Sequence, residues 1–238
     1  MNYKNLVFLG TSHIAKQSMN EVKKYIETEK PDIIALELDK KRLPALMQKQ
    51  RKIELRVIKR IGIKGFLFSL FGAWAEKKLG KLVGVAPGSE MRLAVRLAKK
   101  NNIGIALIDQ DIEITLRRLS KELSWKEKWN FIADIFKSVF SGKKEIDFDL
   151  RTVPEKRIIK RLVGKLKERY PNIYHVLIEE RNAVIADNLK KLMDSNPDKK
   201  ILAILGAGHV EDVLELIKRK QEARISYTFS LGYKVGHK

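Results

Sequence analysis

Four short, largely apolar runs constrain this chain more than any other feature. Each stops at a glycine or an acid. They are Leu6-Val7-Phe8-Leu9 before Gly10, Ile33-Ile34-Ala35-Leu36 before Glu37, residues 103–108 before Asp109, and Ile201-Leu202-Ala203-Ile204-Leu205 before Gly206. Short runs without polar alternation mark strands buried on both faces. Between the first two, Ile14, Met19, Val22, Tyr25 and Ile26 recur at helical spacing, which predicts a helix over residues 14–29. Strand, helix and strand in about thirty residues make a βαβ unit, with parallel pairing and a right-handed crossover expected. Ser89 reads as the N-cap of a helix through Lys100. Further helical patterns run from residue 112 to about 140, with a break at Ser141-Gly142, and over 157–169, 173–193 and 210–220. Ile225-Ser226-Tyr227-Thr228-Phe229 alternates and reads as an edge strand. The fold class expected is α/β: a mostly parallel sheet, flanking helices and a basic helical insertion in the middle. One domain spans 1–238, with the insertion at about 40–86 and a helix-rich region at about 112–195.

Composition narrows the partners. The chain has 238 residues and 44% hydrophobic content, enough for one sizeable core. It has no cysteine, so disulfides and thiolate metal sites are excluded. A net charge of +20 favours polyanionic surfaces, nucleic acid or an anionic membrane. Between Gln48 and Leu82, ten Lys/Arg face only Glu54 and Glu76, and the most apolar stretch of the chain, residues 65–75, lies among them. This segment and residues 157–169 are basic amphipathic patterns of the kind that lie on anionic membranes. Their other reading is a solvated basic face over a helical core. Phe66, Phe68, Phe71 and Trp74 favour a membrane over nucleic acid, for which no reader motif is present. The same apolar residues are candidates for a homo-oligomer interface. No run of about 18 apolar residues predicts a membrane span. No apolar leader follows Met1, so the expected location is the cytoplasm, peripheral to a membrane.

The chemistry points to two loops. Two of the four histidines follow a glycine by three places, in Gly10-Thr11-Ser12-His13 and Gly206-Ala207-Gly208-His209. Both loops leave an apolar strand and enter a helix. Parallel sheets bind ligands beyond the carboxyl ends of their strands. Imidazole is both a common metal ligand and a common acid–base group. The alternative is two helix-start histidines without a role. Glu37 and Asp39 leave the second strand on the same side. A carboxylate there needs a partner, either a cation such as Arg42 or a metal. His13, His209 and Glu37 are a sufficient ligand set for a divalent ion such as Mn, Co or Zn with open positions for water and substrate. Asp109 and Asp111 end the third strand, where capping of the next helix is the favoured reading. By local physics alone, Glu90 answers its helix dipole. Arg181 and Asn182 read as part of a solvated helix face, although arginine also holds carboxylates and oxyanions.

Four ordered blocks carry a resemblance. They are Gly10-Thr11-Ser12-His13-Ile14; Pro31-Asp32 through Glu37-Leu38-Asp39-Lys40-Lys41-Arg42; Pro87-Gly88-Ser89-Glu90-Met91; and Glu180-Arg181-Asn182 with Gly206-Ala207-Gly208-His209-Val210. In these the chain resembles the TraB family of pheromone-shutdown proteins, which is similar to the Tiki metalloproteases and more remotely to erythromycin esterase and ChaN. The resemblance implies a mixed or parallel α/β sheet with both histidines at one site, joined there by Glu37, Glu90 and Arg181. It implies a metal-dependent hydrolase of peptidase type acting on a peptide or other small substrate. His13 and His209 would be ligands, Glu37 a third ligand or a base, Glu90 a general base and Arg181 an oxyanion holder. The other expectation is a non-catalytic protein that holds haem or another ligand in the same crevice.

Overall fold

The computed structural model describes residues 1–11, 16–47, 88–127, 129–130, 133–134 and 156–234. His13, the apolar stretch 65–75 and the Ser141-Gly142 break lie outside these residues, as does the expected insertion beyond Met47.

Five strands form one sheet: β1 (Asn2–Tyr3), β2 (Leu6–Thr11), β3 (Ile33–Leu36), β4 (Gly104–Leu107) and β5 (Ile201–Gly206). Their order is β1-β2-β5-β3-β4, and every pairing except that of β1 with β2 is parallel. The helices include α1 (Lys16–Glu29), α2 (Arg42–Met47), α3 (Ser89–Lys100), α4 (Ile112–Glu122), α5 (Lys156–Arg169), α6 (Pro171–Tyr174), α7 (Glu180–Ser195) and α8 (Val210–Lys234), and residues 125–127, 129–130 and 133–134 are helical too. A π-helical turn, His175–Glu179, joins α6 to α7.

Strand alternation divides the core into two layers. Leu6, Phe8, Ile33, Ala35, Ile201, Ala203 and Leu205 face α7 and α8, where Ile185, Leu189, Val213 and Ile217 pack on them. Ile34, Leu36, Leu202 and Ile204 face the other way, onto Val22 and Ile26 of α1 and Met91, Ala94 and Val95 of α3. Every residue of β5 is buried, which is why it takes the centre. Each fully buried Leu or Ile contributes about 1.5–3 kcal/mol, so the two layers of β5 are the main anchor of the sheet.

The α/β class and the four strands stand as expected, but only β3 and β5 are buried throughout; β2 is partly exposed, and β4, at the edge of the sheet, has no buried residue. Three local expectations are corrected. First, β2 and β3 are parallel but do not pair, because β5, from far along the chain, lies between them. Second, Gly88 rather than Ser89 occupies the N-cap of α3, with φ 73°. That left-handed backbone suits glycine, and a Cβ there would meet Leu46 Cδ1 at 2.8 Å. Third, the backbone of residues 225–229 is helical, since α8 continues to Lys234. A helix already nucleated at Val210 propagates at little cost through residues 211–231, which hold no glycine or proline.

Candidate functional site

Strand register brings the roots of the two Gly-x-x-His loops together. Gly10 pairs with Leu205, and Thr11 pairs with Gly206. Thr11 is buried, its Oγ1 donates to Leu205 O at 3.1 Å, and its carbonyl accepts from Ala207 N at 2.9 Å. A Cβ on Gly10 would stand 3.3 Å from Ala207 Cα and Val210 Cγ2. Glycine therefore allows this close approach of the loops. After β2 the chain passes to α1 on one face of the sheet, and after β5 it passes to α8 on the other. Connections that diverge from adjacent strands open a crevice at their carboxyl ends.

Glu37 fills the crevice next to β5. Its side chain is 4% exposed. Oε2 accepts from the Gly206 backbone N–H at 2.6 Å, and Oε1 accepts from Arg181 Nη2 at 2.5 Å. The same guanidinium donates to Asp109, from Nε to Oδ1 at 3.1 Å and from Nη2 to Oδ2 at 2.7 Å. Its Nη1 donates to Leu177 O at 3.2 Å, within the π-helical turn. Burial works against the Arg181 charge, but Glu37 and Asp109 outweigh it and hold the guanidinium more firmly protonated than usual. Asp109 has no exposed side-chain surface and also binds Arg42. Arg42 in turn takes Asp39 at 2.6 Å through Nε. One unbroken relay thus runs Glu37–Arg181–Asp109–Arg42–Asp39 across the ends of β5, β3 and β4. Arg42 was the expected salt-bridge alternative for Glu37, but it serves Asp39 and Asp109 instead.

His209 is 7% exposed and ends the second loop. Its carbonyl accepts the first helical N–H of α8, from Val213 at 3.0 Å. Nδ1 lies 2.6 Å from Asn182 Oδ1. The Asn182 amide is itself oriented by Nδ2 donating to Asp212 Oδ2 at 3.3 Å. A carbonyl oxygen only accepts, so in neutral imidazole the proton sits on Nδ1 and the Nε2 lone pair is presented. Nε2 lies 3.5 Å from Glu37 Oε1. Two ligands of one tetrahedral ion stand about 3.4 Å apart when each bond is about 2.1 Å. The pair therefore fits two corners of a divalent site. Among the described residues no group of three metal-donor side chains converges.

A cavity of about 510 Å³ opens beside these loops. Phe8, Leu9, Gly10, Val163, Gly208 and Asp212 line parts of it. Lys160 of α5 and Glu211 of α8 also border it and pair at 2.7 Å. A Cβ on Gly164 would meet nothing within 4 Å, so α5 leaves the cavity open there. Partial desolvation pushes the Asp212 carboxyl up; His209 pulls it down, and Glu215, Glu211 and Glu179 add to the upward push.

Of the residues read from sequence, Glu37, Arg181 and His209 come together. Glu90 is 1% exposed in the first turn of α3, whose N-cap abuts Leu46 of α2, on the side of the sheet where β3 ends. Asp111 caps α4 as expected, accepting from Glu113 N at 2.8 Å. Asp109 does not cap that helix and belongs to the relay, against the capping expectation. Sequence reading singled out Asn182 beside Arg181 but gave it no role, and it missed Asp212, whose only signal was its place three residues beyond His209.

Among the described residues no helix is long and apolar enough to cross a membrane. The model of the TraB/PrgY/gumN family matches residues 2–227. An uncharacterized protein of Methanocaldococcus jannaschii is 36% identical over 221 residues, covering 92% of this chain and 55% of that protein. TraB domain-containing proteins of Bos taurus and Homo sapiens are 21% and 20% identical, each match covering 86% of this chain and 60% of the mammalian protein. The chain thus spans little more than half the length of these relatives. The family match contains both histidine loops, the relay and the sheet that joins them, and the chain belongs to the TraB/PrgY/gumN family.

Proposed function

We propose that the Glu37–His209 crevice is the centre of a metal-dependent hydrolase of peptidase type, acting on a peptide or other small amide-like substrate. One observation carries this reading. His209 is oriented through Asn182 so that Nε2 faces a buried carboxylate at the divergence of two parallel strands. In this reading His13, His209 and Glu37 hold a divalent ion such as Mn, Co or Zn. When bound, such an ion lowers the pKa of water and polarises a scissile carbonyl. The chain's own residues supply the rest. Asn182 fixes the His209 tautomer. The Gly206 N–H and Arg181 hold the Glu37 carboxylate in one orientation. Arg181 already carries two carboxylates, so its part is to position Glu37, ahead of the oxyanion role that sequence suggests. Glu90 is the candidate general base. The cavity between α5 and the loops receives the substrate and keeps water from it.

Metal content of the reconstituted chain tests the reading. The expected result is stoichiometric metal in the wild type, lost in His13→Ala and in His209→Ala. Asn182→Ala is expected to weaken metal affinity about 10–100-fold, the usual effect of removing a residue that orients a ligand. Full affinity in both histidine variants would sink the proposal. The apolar lining of the cavity supports a second reading, a non-catalytic site for haem or another apolar ligand. That reading requires a visible absorption band on haem reconstitution that disappears in His209→Ala.

A further inference from the structure

Among the described residues five large apolar side chains are exposed, and three of them lie on two helical segments that touch: Trp125 (73%), Trp129 (66%) and Leu162 (45%). Residues 125–127 and 129–130 are helical, so Trp125 and Trp129 share one face at i, i+4 spacing. The opposite face is fixed inward. Glu127 is 2% exposed and accepts from the N–H groups of Asn172 and Ile173 at 2.7 and 3.3 Å. Polar contacts tie this segment to the end of α5. Asn130 Nδ2 donates to Arg169 O at 3.5 Å, and the Arg169 guanidinium grips Asp134 at 2.6 and 2.5 Å. Leu162, Lys165 and Arg169 stand at i, i+3 and i+7 on one face of α5. That helix carries seven Lys/Arg against the single acid Glu168, and Lys126 stands exposed between the two tryptophans.

Two tryptophans this exposed on a helix with a buried opposite face are not core residues turned outward by chance packing. The indole ring has an apolar body and one N–H, which suits the headgroup level of a bilayer. Lysine and arginine beside such rings add attraction to anionic lipid. We propose that Trp125, Trp129 and Leu162, with Lys126, Lys165 and the basic face of α5, form a docking surface for an anionic membrane. Charge complementarity selects this occupant: the chain is +20 overall and α5 is its most basic described helix. Docking there lays α5, which walls the cavity through Lys160, Val163 and Gly164, against the lipid surface.

Co-sedimentation of the 238-residue chain with phosphatidylcholine vesicles, with and without phosphatidylserine, tests this. Binding is expected only with phosphatidylserine, weaker as salt rises, with a blue shift of tryptophan emission. The Trp125→Ala/Trp129→Ala double variant is expected to bind about tenfold more weakly or worse, because apolar insertion is lost while charge remains. Its melting temperature should change little, since both side chains are largely exposed. A wild-type chain that stays in the supernatant with phosphatidylserine vesicles overturns the proposal. So does a double variant that sediments as well as the wild type. A dimer that dissociates in the double variant assigns the face to a second copy of the chain and overturns it too.

Discussion

At the carboxyl edge of the sheet, Arg181 lies between Glu37 and Asp109 with 15% of its side chain exposed. On the outer side of α8, Arg219 lies beside Glu215 with 70% exposed. Both are arginine–carboxylate pairs in the same basic chain, yet they do different work. The outer pair is a local i, i+4 contact that either partner can leave for water. The inner one joins residues 144 positions apart and has little water to fall back on. A buried ion pair gains little over an apolar replacement, but removing one partner strands the other. The relay is therefore weak as a source of stability and strong as a constraint on geometry. It fixes Glu37 where His209 can meet it.

The largest effect expected is that of Arg181→Ala. It leaves Glu37 and Asp109 buried with one cation fewer, which costs about 3–5 kcal/mol. Urea unfolding measures it. The sharper form adds Glu37→Gln and Asp109→Asn to the same chain. Those changes remove the stranded charges, so the triple variant should regain most of the lost stability. If Arg181→Ala costs no more than an exposed pair, the relay is solvated in solution and the contrast with α8 disappears.

The two regions also differ in how far sequence discloses them. Apolar runs such as Ile33-Ile34-Ala35-Leu36 mark buried strands directly, because burial on both faces removes every polar position. Local spacing finds Asp111 as a cap and Gly206 as a stop for the same reason: the partner is a few residues away. The central place of β5 could not be read locally, because it depends on pairing with two strands that each lie more than 150 residues away. The two-residue strand β1 is too short to show a pattern. The relay was half legible. Glu37 and Asp109 stand at strand ends, where a carboxylate needs a partner. Nothing local distinguishes Arg181 from the many arginines on solvated helix faces, and only the family resemblance raised it. Asn182 stands beside it in the same block, but its part is hidden further, since it acts through His209. The pattern of Ile225, Tyr227 and Phe229 misled because five residues of alternation cannot outvote a helix already under way.

Glu127 is the intermediate case, a buried carboxylate held, among the described residues, by N–H and O–H donors rather than by a cation. It accepts from Ser124 N and Oγ at 3.0 and 2.8 Å and from the Asn172 side chain at 2.9 Å, besides the two N–H groups that open α6. Burial pushes its pKa up, but those hydrogen bonds outweigh it and leave the group below its ordinary 4.5. A depressed carboxylate contributes stability above its unfolded pKa and loses it as pH falls through the folded one. The melting temperature of the wild type should therefore drop on acidification below about 4.5, and Glu127→Gln should flatten part of that drop. At neutral pH the substitution should cost about 1–2 kcal/mol, the difference between charge-assisted and neutral hydrogen bonds. An unchanged acid limb would place the lost protons elsewhere and make Glu127 no more than a spacer.

The smallest effect belongs to Arg219. Alanine there removes the contact with Glu215 but also gains intrinsic helix propensity, so the single variant alone says little. A double-mutant cycle with Glu215→Ala isolates the pair. Its coupling should be about 0.3–0.5 kcal/mol at low salt, the range for exposed i, i+4 ion pairs. It should fade when salt shortens the screening length to a few ångströms. The same cycle on Arg181 and Glu37 should give a coupling several times larger that salt barely changes. Equal couplings in the two cycles would mean that solvent reaches Glu37 as freely as Glu215. His209 would then face a carboxylate free to turn away from it, and the crevice would lose the fixed geometry on which its proposed chemistry depends.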